Sequence, residues 1–186
     1  MTSPENYLYD WLGFNKSLFF MINKIHAPVL DQIMLTITWL GHPGLYPFYI
    51  AVALLWAWRW PKTMRLRNVV VFALGYLVSS VVVIPALKSF FDFPRPLAVL
   101  GAQAVTVLGV PDSIHSFPSG HAAYAMLMAV SLMPGLPRGG KYALLAYAVL
   151  VCISRISVGA HFPADVLAGA GVSLLIVWMI GRVLPD

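Results

Sequence analysis

The chain reads as an all-α integral membrane protein, a bundle of about six transmembrane helices with a short N-terminal amphipathic helix. Three observations predict this. Hydrophobic residues make up 60% of the 186 and mean hydropathy is +0.80, whereas a soluble domain is about 45–50% apolar. Apolar runs of helical length recur along the chain. The charged residues, only 10% of the total, collect in the short segments between those runs.

Taken in order, residues 14–24 alternate apolar and polar positions as an amphipathic helix lying on the membrane surface does. Pro28 opens a second segment, 28–39, which carries Asp31 and Gln32 and is short for a span. Residues 45–58 are a clear span, followed by a loop holding Arg59, Lys62, Arg65 and Arg67. A third span covers 68–87. The polar, proline-containing stretch 89–117 is the largest loop. Spans follow at 119–133, at 142–153 running on toward 157, and at 163–183. Pro118 and Pro163 suit helix starts, where no backbone hydrogen bond is lost. Gly169 and Gly171, with Ala168 and Ala170, allow the last helix to pack closely on its neighbours. The whole of 1–186 reads as a single membrane-embedded domain.

The lone cysteine, Cys152, excludes an intrachain disulfide and a cysteine metal cluster. Residues 1–10 lack the basic and apolar regions of a cleavable signal. The net charge of +5 does not indicate nucleic acid, because the basic residues sit in inter-span loops, where the positive-inside bias explains them. That bias places the 59–67 and 138–141 loops and Arg182 on the cytoplasmic side. The 88–117 loop and the 155–163 turn then lie on the opposite face. If 28–39 spans, the N-terminus with Lys16 and Lys24 is cytoplasmic; if the segment only dips in, that end is external. The spanning alternative is the one expected here, and it gives six spans.

Ionisable groups at membrane depth are costly and functional by default. Three segments place them there: Lys88 to Arg95-Pro96, Pro118-Ser119-Gly120-His121, and Ser154-Arg155 through His161 to Asp165. Lys88, Arg95 and Arg155 supply three positive charges for a phosphate monoester of about −1.5 to −2, with arginine offering a bidentate fork. Ser119 and Gly120 open a helix, whose first amides favour an anion. His161 stands four residues before Asp165, which can fix its tautomer and leave the other ring nitrogen to attack phosphorus. His121 then serves as the acid for the leaving alkoxide and as the base for water. No metal or cofactor is called for, because the cations take the place that Mg²⁺ holds elsewhere.

The same residues follow, in order and complete, the pattern KxxxxxxRP … PSGH … SRxxxxxHxxxD. In this the chain resembles the type 2 phosphatidic acid phosphatase family, the lipid phosphate phosphatase and haloperoxidase-like superfamily. The resemblance covers about residues 88–165. It implies the same roles at the same positions: His161, His121 and Asp165 catalytic, and Lys88, Arg95, Arg155, Ser119 and Gly120 on the phosphate. One departure is Asp92-Phe93-Pro94, where many members carry a second basic residue before Arg-Pro.

The expectation is a metal-independent lipid phosphate phosphatase of the bacterial inner membrane, its site facing the periplasm or cell exterior. It would act through a phosphohistidine, with undecaprenyl diphosphate as the leading substrate. Phosphatidylglycerophosphate, phosphatidic acid and the phosphates of lipid A are alternatives. A lipid phosphotransferase and a non-catalytic lipid-phosphate binder or transporter are the rival functions. The lipid bilayer and its phosphate lipids are the expected partners, with no obligate protein partner. Outside the signature, Asp112 and His115 read as loop residues near the headgroup, His26 and His42 as interfacial, and Tyr124 and Met126 as packing.

Overall fold

The computed structural model describes residues 10–109 and 114–184. Asp112 lies outside the described residues. Among them every regular element is helical. A 3₁₀ turn at Trp11–Gly13 leads into α1 (Phe14–Asn23), α2 (Pro28–Leu40), a 3₁₀ turn at Pro43–Leu45, and α3 (Tyr46–Arg59). Then come α4 (Leu66–Val78), a π-helical turn at Ser79–Val83, α5 (Ile84–Phe91) and α6 (Pro96–Leu100). The bundle closes with α7 (Gly120–Leu132), α8 (Arg138–Ser157) and α9 (Pro163–Val183).

Helix α7 is the hub, packed on α4, α8 and α9. Nine of its 13 residues are buried, four of them alanine. Such small side chains let neighbouring backbones come close where lipid gives little hydrophobic drive for association. At Gly169 of α9 a Cβ would stand 2.4 Å from the Ser119 carbonyl oxygen, so only glycine permits this crossing. The π turn merges α4 and α5 into one rod. It absorbs Pro85, which has no amide to give to a helical ladder.

Large apolar side chains face outward around the bundle, among them Leu55, Val81, Leu174 and Leu175. At the end holding the 60–65 loop, Arg59 lies over the Trp60 ring and Arg182 over Trp178. Arg67 donates to the Gly181 and Leu184 carbonyls there, joining α4 to α9. Aromatic and basic residues together mark a membrane interface.

The stretches Leu66–Leu100, Arg138–Ser157 and Pro163–Val183 are long and apolar enough to cross a membrane. Helices α2, α3 and α7, with 13 or 14 residues, reach only about 20 Å against a hydrocarbon core of about 30 Å.

Helix α1 lies at the end of the bundle that holds Ser157 and Ala164, whereas the spanning alternative placed Lys16 and Lys24 on the face opposite the 155–163 turn. Asn15 accepts from the Ala164 amide, and Asn23 donates to the carbonyl of Ser157, the last residue of α8. Asn15, Phe19 and Asn23 form a buried stripe at i, i+4, i+8, so α1 is docked on the bundle rather than only lying on the bilayer. Four residues, a reach of at most about 18 Å, separate Asn23 from Pro28. Helix α8 runs about 30 Å to its other end. Thr38, near the end of α2, bonds Ser154, one turn from Ser157. Helix α2 ends at Leu40, whose carbonyl accepts the hydroxyl of Tyr147, ten residues before Ser157 on α8.

Candidate active site

The three signature segments meet at one end of the bundle. Arg155 sits in the last turn of α8, where the helix dipole favours a cation. The chain then turns sharply. The amides of Ala160 and His161 both donate to the Arg155 carbonyl, at 3.1 and 3.2 Å. Gly159 makes the turn possible. Its φ is +75°, and a Cβ there would stand 2.4 Å from the Thr106 carbonyl oxygen.

His161 is thereby carried into the protein, with 2% exposure, against a fully buried Asp165. Asp165 lies in the first turn of α9, where its carboxylate accepts the Phe162 amide at 2.8 Å and caps the helix. The same oxygen, Oδ2, lies 3.4 Å from His161 Nδ1. Burial pushes the His161 imidazole down to about 4, against the upward pull of the Asp165 hydrogen bond. The ring is therefore neutral at neutral pH, as a nitrogen nucleophile requires.

Ser116 was not singled out by the sequence. It is fully buried, and its hydroxyl donates to Asp165 Oδ2 at 2.5 Å. With its proton committed there, Oγ turns a lone pair toward His161 Nδ1, 3.4 Å away. Two acceptors thus face Nδ1, which sets that nitrogen as N–H and leaves Nε2 unprotonated.

The cations are held by main-chain carbonyls of the same short segment. Lys88 Nζ donates to His115 O at 2.5 Å, and Arg95 Nε to Ile114 O at 3.0 Å. Arg95 also reaches Ala160 O at 3.3 Å. Residues 114–116 thus form a strap touching the first and third motifs. Asp92, the departure from the family pattern, stands 2.9 Å from the His115 ring, so its carboxylate pairs within the strap.

Ser119 precedes α7. Its amide is spent on the Asp165 carbonyl at 2.9 Å, so it is not among the free amides expected at this helix start. Ala123 makes the first helical bond back to Ser119, which leaves the amides of Gly120, His121 and Ala122 ahead of the ladder. The Ser119 hydroxyl and Arg155 Nε are buried without a hydrogen-bond partner among the described residues. Buried polar atoms are nearly always paired, and a phosphate oxygen is a fitting acceptor for either donor.

Arg95 and Arg155 border a cavity of about 190 Å³ shared with Leu35 and Thr38 of α2 and with residues 107–109 and 158–160. Among the described residues no three His, Cys, Asp or Glu side chains cluster as a metal site. His26, read as interfacial, pairs with Asp31 at 2.8 Å across the α1–α2 joint. His42, also read as interfacial, lies instead beside His121. Tyr124 packs against Tyr46 and Tyr76, as expected.

The sequence pattern of the PAP2 superfamily matches residues 66–186. An undecaprenyl-diphosphatase of Sulfolobus acidocaldarius is 28% identical, over 91% of this chain and 74% of the relative. Phosphatidylglycerophosphatase B of Bacillus subtilis is 32% identical, over 84% of this chain and 76% of its own. Among solved structures, Aquifex aeolicus LpxE superposes with a TM-score of 0.79 at 30% identity, covering 91% of this chain and 95% of that one.

Proposed function

The chain belongs to the PAP2 superfamily and is a lipid phosphatase; from that premise we propose that it cleaves phosphate from membrane lipids through a phosphohistidine formed on His161. Asp165 orients the ring so that Nε2 attacks phosphorus in line with the departing oxygen. His121 gives that oxygen its proton and then takes one from water, which releases inorganic phosphate. Lys88, Arg95, Arg155, Ser119 and the Gly120 end of α7 bind the three equatorial oxygens, whose charge is stabilised by donors already in position. No metal takes part.

The observation that carries this reading is the pair of orphaned buried donors, Ser119 Oγ and Arg155 Nε, at the junction that buries a neutral histidine. A binder or transporter has use for the cations but not for an imidazole with a carboxylate behind it.

Undecaprenyl diphosphate is the leading substrate, with phosphatidylglycerophosphate, phosphatidic acid and lipid A phosphates as alternatives; the first two have namesakes among the relatives. The motif end faces away from the cytoplasm, because the basic 59–67 and 138–141 loops occupy the other end. The test is phosphate release by purified protein in EDTA across these four lipids, beside His161→Ala. Release that persists in EDTA and falls at least a thousandfold in the variant is expected. Full activity in His161→Ala, or its loss in EDTA, would overturn the mechanism. A doubly phosphorylated lipid in place of free phosphate would assign transfer instead of hydrolysis.

A further inference from the structure

A third imidazole stands at the site, on a segment outside every signature motif. The His42 ring lies 5.8 Å from the His121 ring, centroid to centroid, edge to face at 79°. His42 is exposed. Its Nδ1 accepts the Gly44 amide at 3.1 Å, capping the 3₁₀ turn. In the neutral ring the hydrogen is therefore on Nε2, a donor.

The position is built. Tyr49 and Tyr147 both donate to the Leu40 carbonyl, and Tyr76 donates to that of Pro43. Gly41 packs directly on Val151 of α8, about 9 Å deeper into the bundle than the Ser157 end. The segment bearing His42 thus reaches the site from its membrane-inward side, where a lipid substrate continues toward its tail.

In an in-line displacement the leaving group departs opposite the nucleophile. Here that side belongs to His121. What stands next to His121 meets whatever follows the bridging oxygen. In a monophosphate lipid this is a carbon chain, which has no use for an imidazole N–H. In a diphosphate it is a second phosphate, which accepts such a donor strongly.

We infer that His42 binds the lipid-proximal phosphate of a diphosphate headgroup and sets lipid diphosphates as the preferred substrate class. This rests on the phosphatase reading above. The His161 Nε2–P bond forms on the terminal phosphorus as its bond to the bridging oxygen breaks. The electron pair stays with that oxygen, which leaves as a lipid monophosphate. Its second pKa is about 6, so it needs the His121 proton less than an alkoxide does. Its charge is met by His42. Water then cleaves the phosphohistidine to inorganic phosphate.

The test compares farnesyl diphosphate with farnesyl monophosphate, which share a tail and differ by one phosphate. The informative variant is His42→Asn, whose side-chain oxygen still caps Gly44 and whose amide nitrogen stops short of the Nε2 position. The diphosphate-to-monophosphate ratio of kcat/KM is expected to fall about tenfold, while His121→Ala moves the ratio the opposite way by harming the monophosphate more. A misfolded fraction lowers both rates equally and leaves the ratio untouched. An unmoved ratio in His42→Asn, with both substrates turned over, overturns the role of His42 alone. Turnover of neither substrate by the unsubstituted protein overturns the phosphatase reading and this assignment with it.

Discussion

Ser116 holds Asp165 at 2.5 Å, whereas His161 stands at 3.4 Å from the same oxygen. The carboxylate is therefore shared, and the serine draws off part of the charge that would otherwise stabilise an imidazolium. Ser116→Ala should lower kcat about 10- to 100-fold with little change in KM, because the ring loses one of the two acceptors that set its tautomer. The pH profile carries a separate signature. His161, pushed down to about 4 by burial, is neutral above that pH, so the acid limb of kcat/KM should fall near 4 in the unsubstituted protein. With Ser116 gone, Asp165 interacts with the ring undiluted, the imidazolium is favoured, and the limb should move to higher pH. A purely structural role would lower the rate and leave the limb in place. Ser116 escaped the sequence reading because a serine two residues before Pro118 in a loop looks like any other loop residue. Its role comes from α9 bringing Asp165 beneath it. The cations and imidazoles of the signature stood out in the sequence because ionisable groups are an unusual choice for an apolar chain.

At the scale of elements, the site depends on the α7–α9 crossing. Gly169→Ala would drive a methyl group against the Ser119 carbonyl oxygen at 2.4 Å and the Ala123 amide nitrogen at 3.2 Å. Both are backbone atoms, so the helices must part, and the Ser119–Asp165 link stretches with them. We expect a loss of about 1–3 kcal/mol and at least a tenfold fall in activity. Gly171→Ala, two residues on, meets nothing within 4 Å and should be neutral or stabilising by up to about 1 kcal/mol. Thermal unfolding in detergent, run on both variants, separates the two. The helices themselves were largely legible from apolar runs and proline starts: α2, α3 and α9 begin within a residue of expectation. The π turn at Ser79–Val83 was not legible. A one-residue slip in helical phase leaves no trace in a run of serine and valine whose outward face is apolar in either register.

For the whole molecule, α1 lies at the same end of the bundle as the motif loops, and that placement predicts a shared sidedness. In a Cys152→Ala background, single cysteines at Ser17 and Ala102 should both react with a membrane-impermeant maleimide in intact cells. A cysteine at Lys62 should react only after permeabilisation. Labelling of Ser17→Cys together with Lys62→Cys would favour the six-span topology. Sequence alone could not choose, because a 13-residue apolar helix fits a tilted span and a re-entrant dip equally well. The placement of α1 rests on Asn15 and Asn23, two polar side chains whose partners lie more than 130 residues away.

The cavity beside Arg95 and Arg155, about 190 Å³, is smaller than the roughly 300–1,000 Å³ that encloses a drug-sized ligand. It has room for a headgroup and none for a polyprenyl or acyl tail. On the proposed function the lipid tail stays in the bilayer, so the protein samples its substrates in two dimensions. Its rate should then follow the mole fraction of phosphate lipid in the membrane or micelle: adding inert detergent at constant substrate molarity slows the reaction by surface dilution alone.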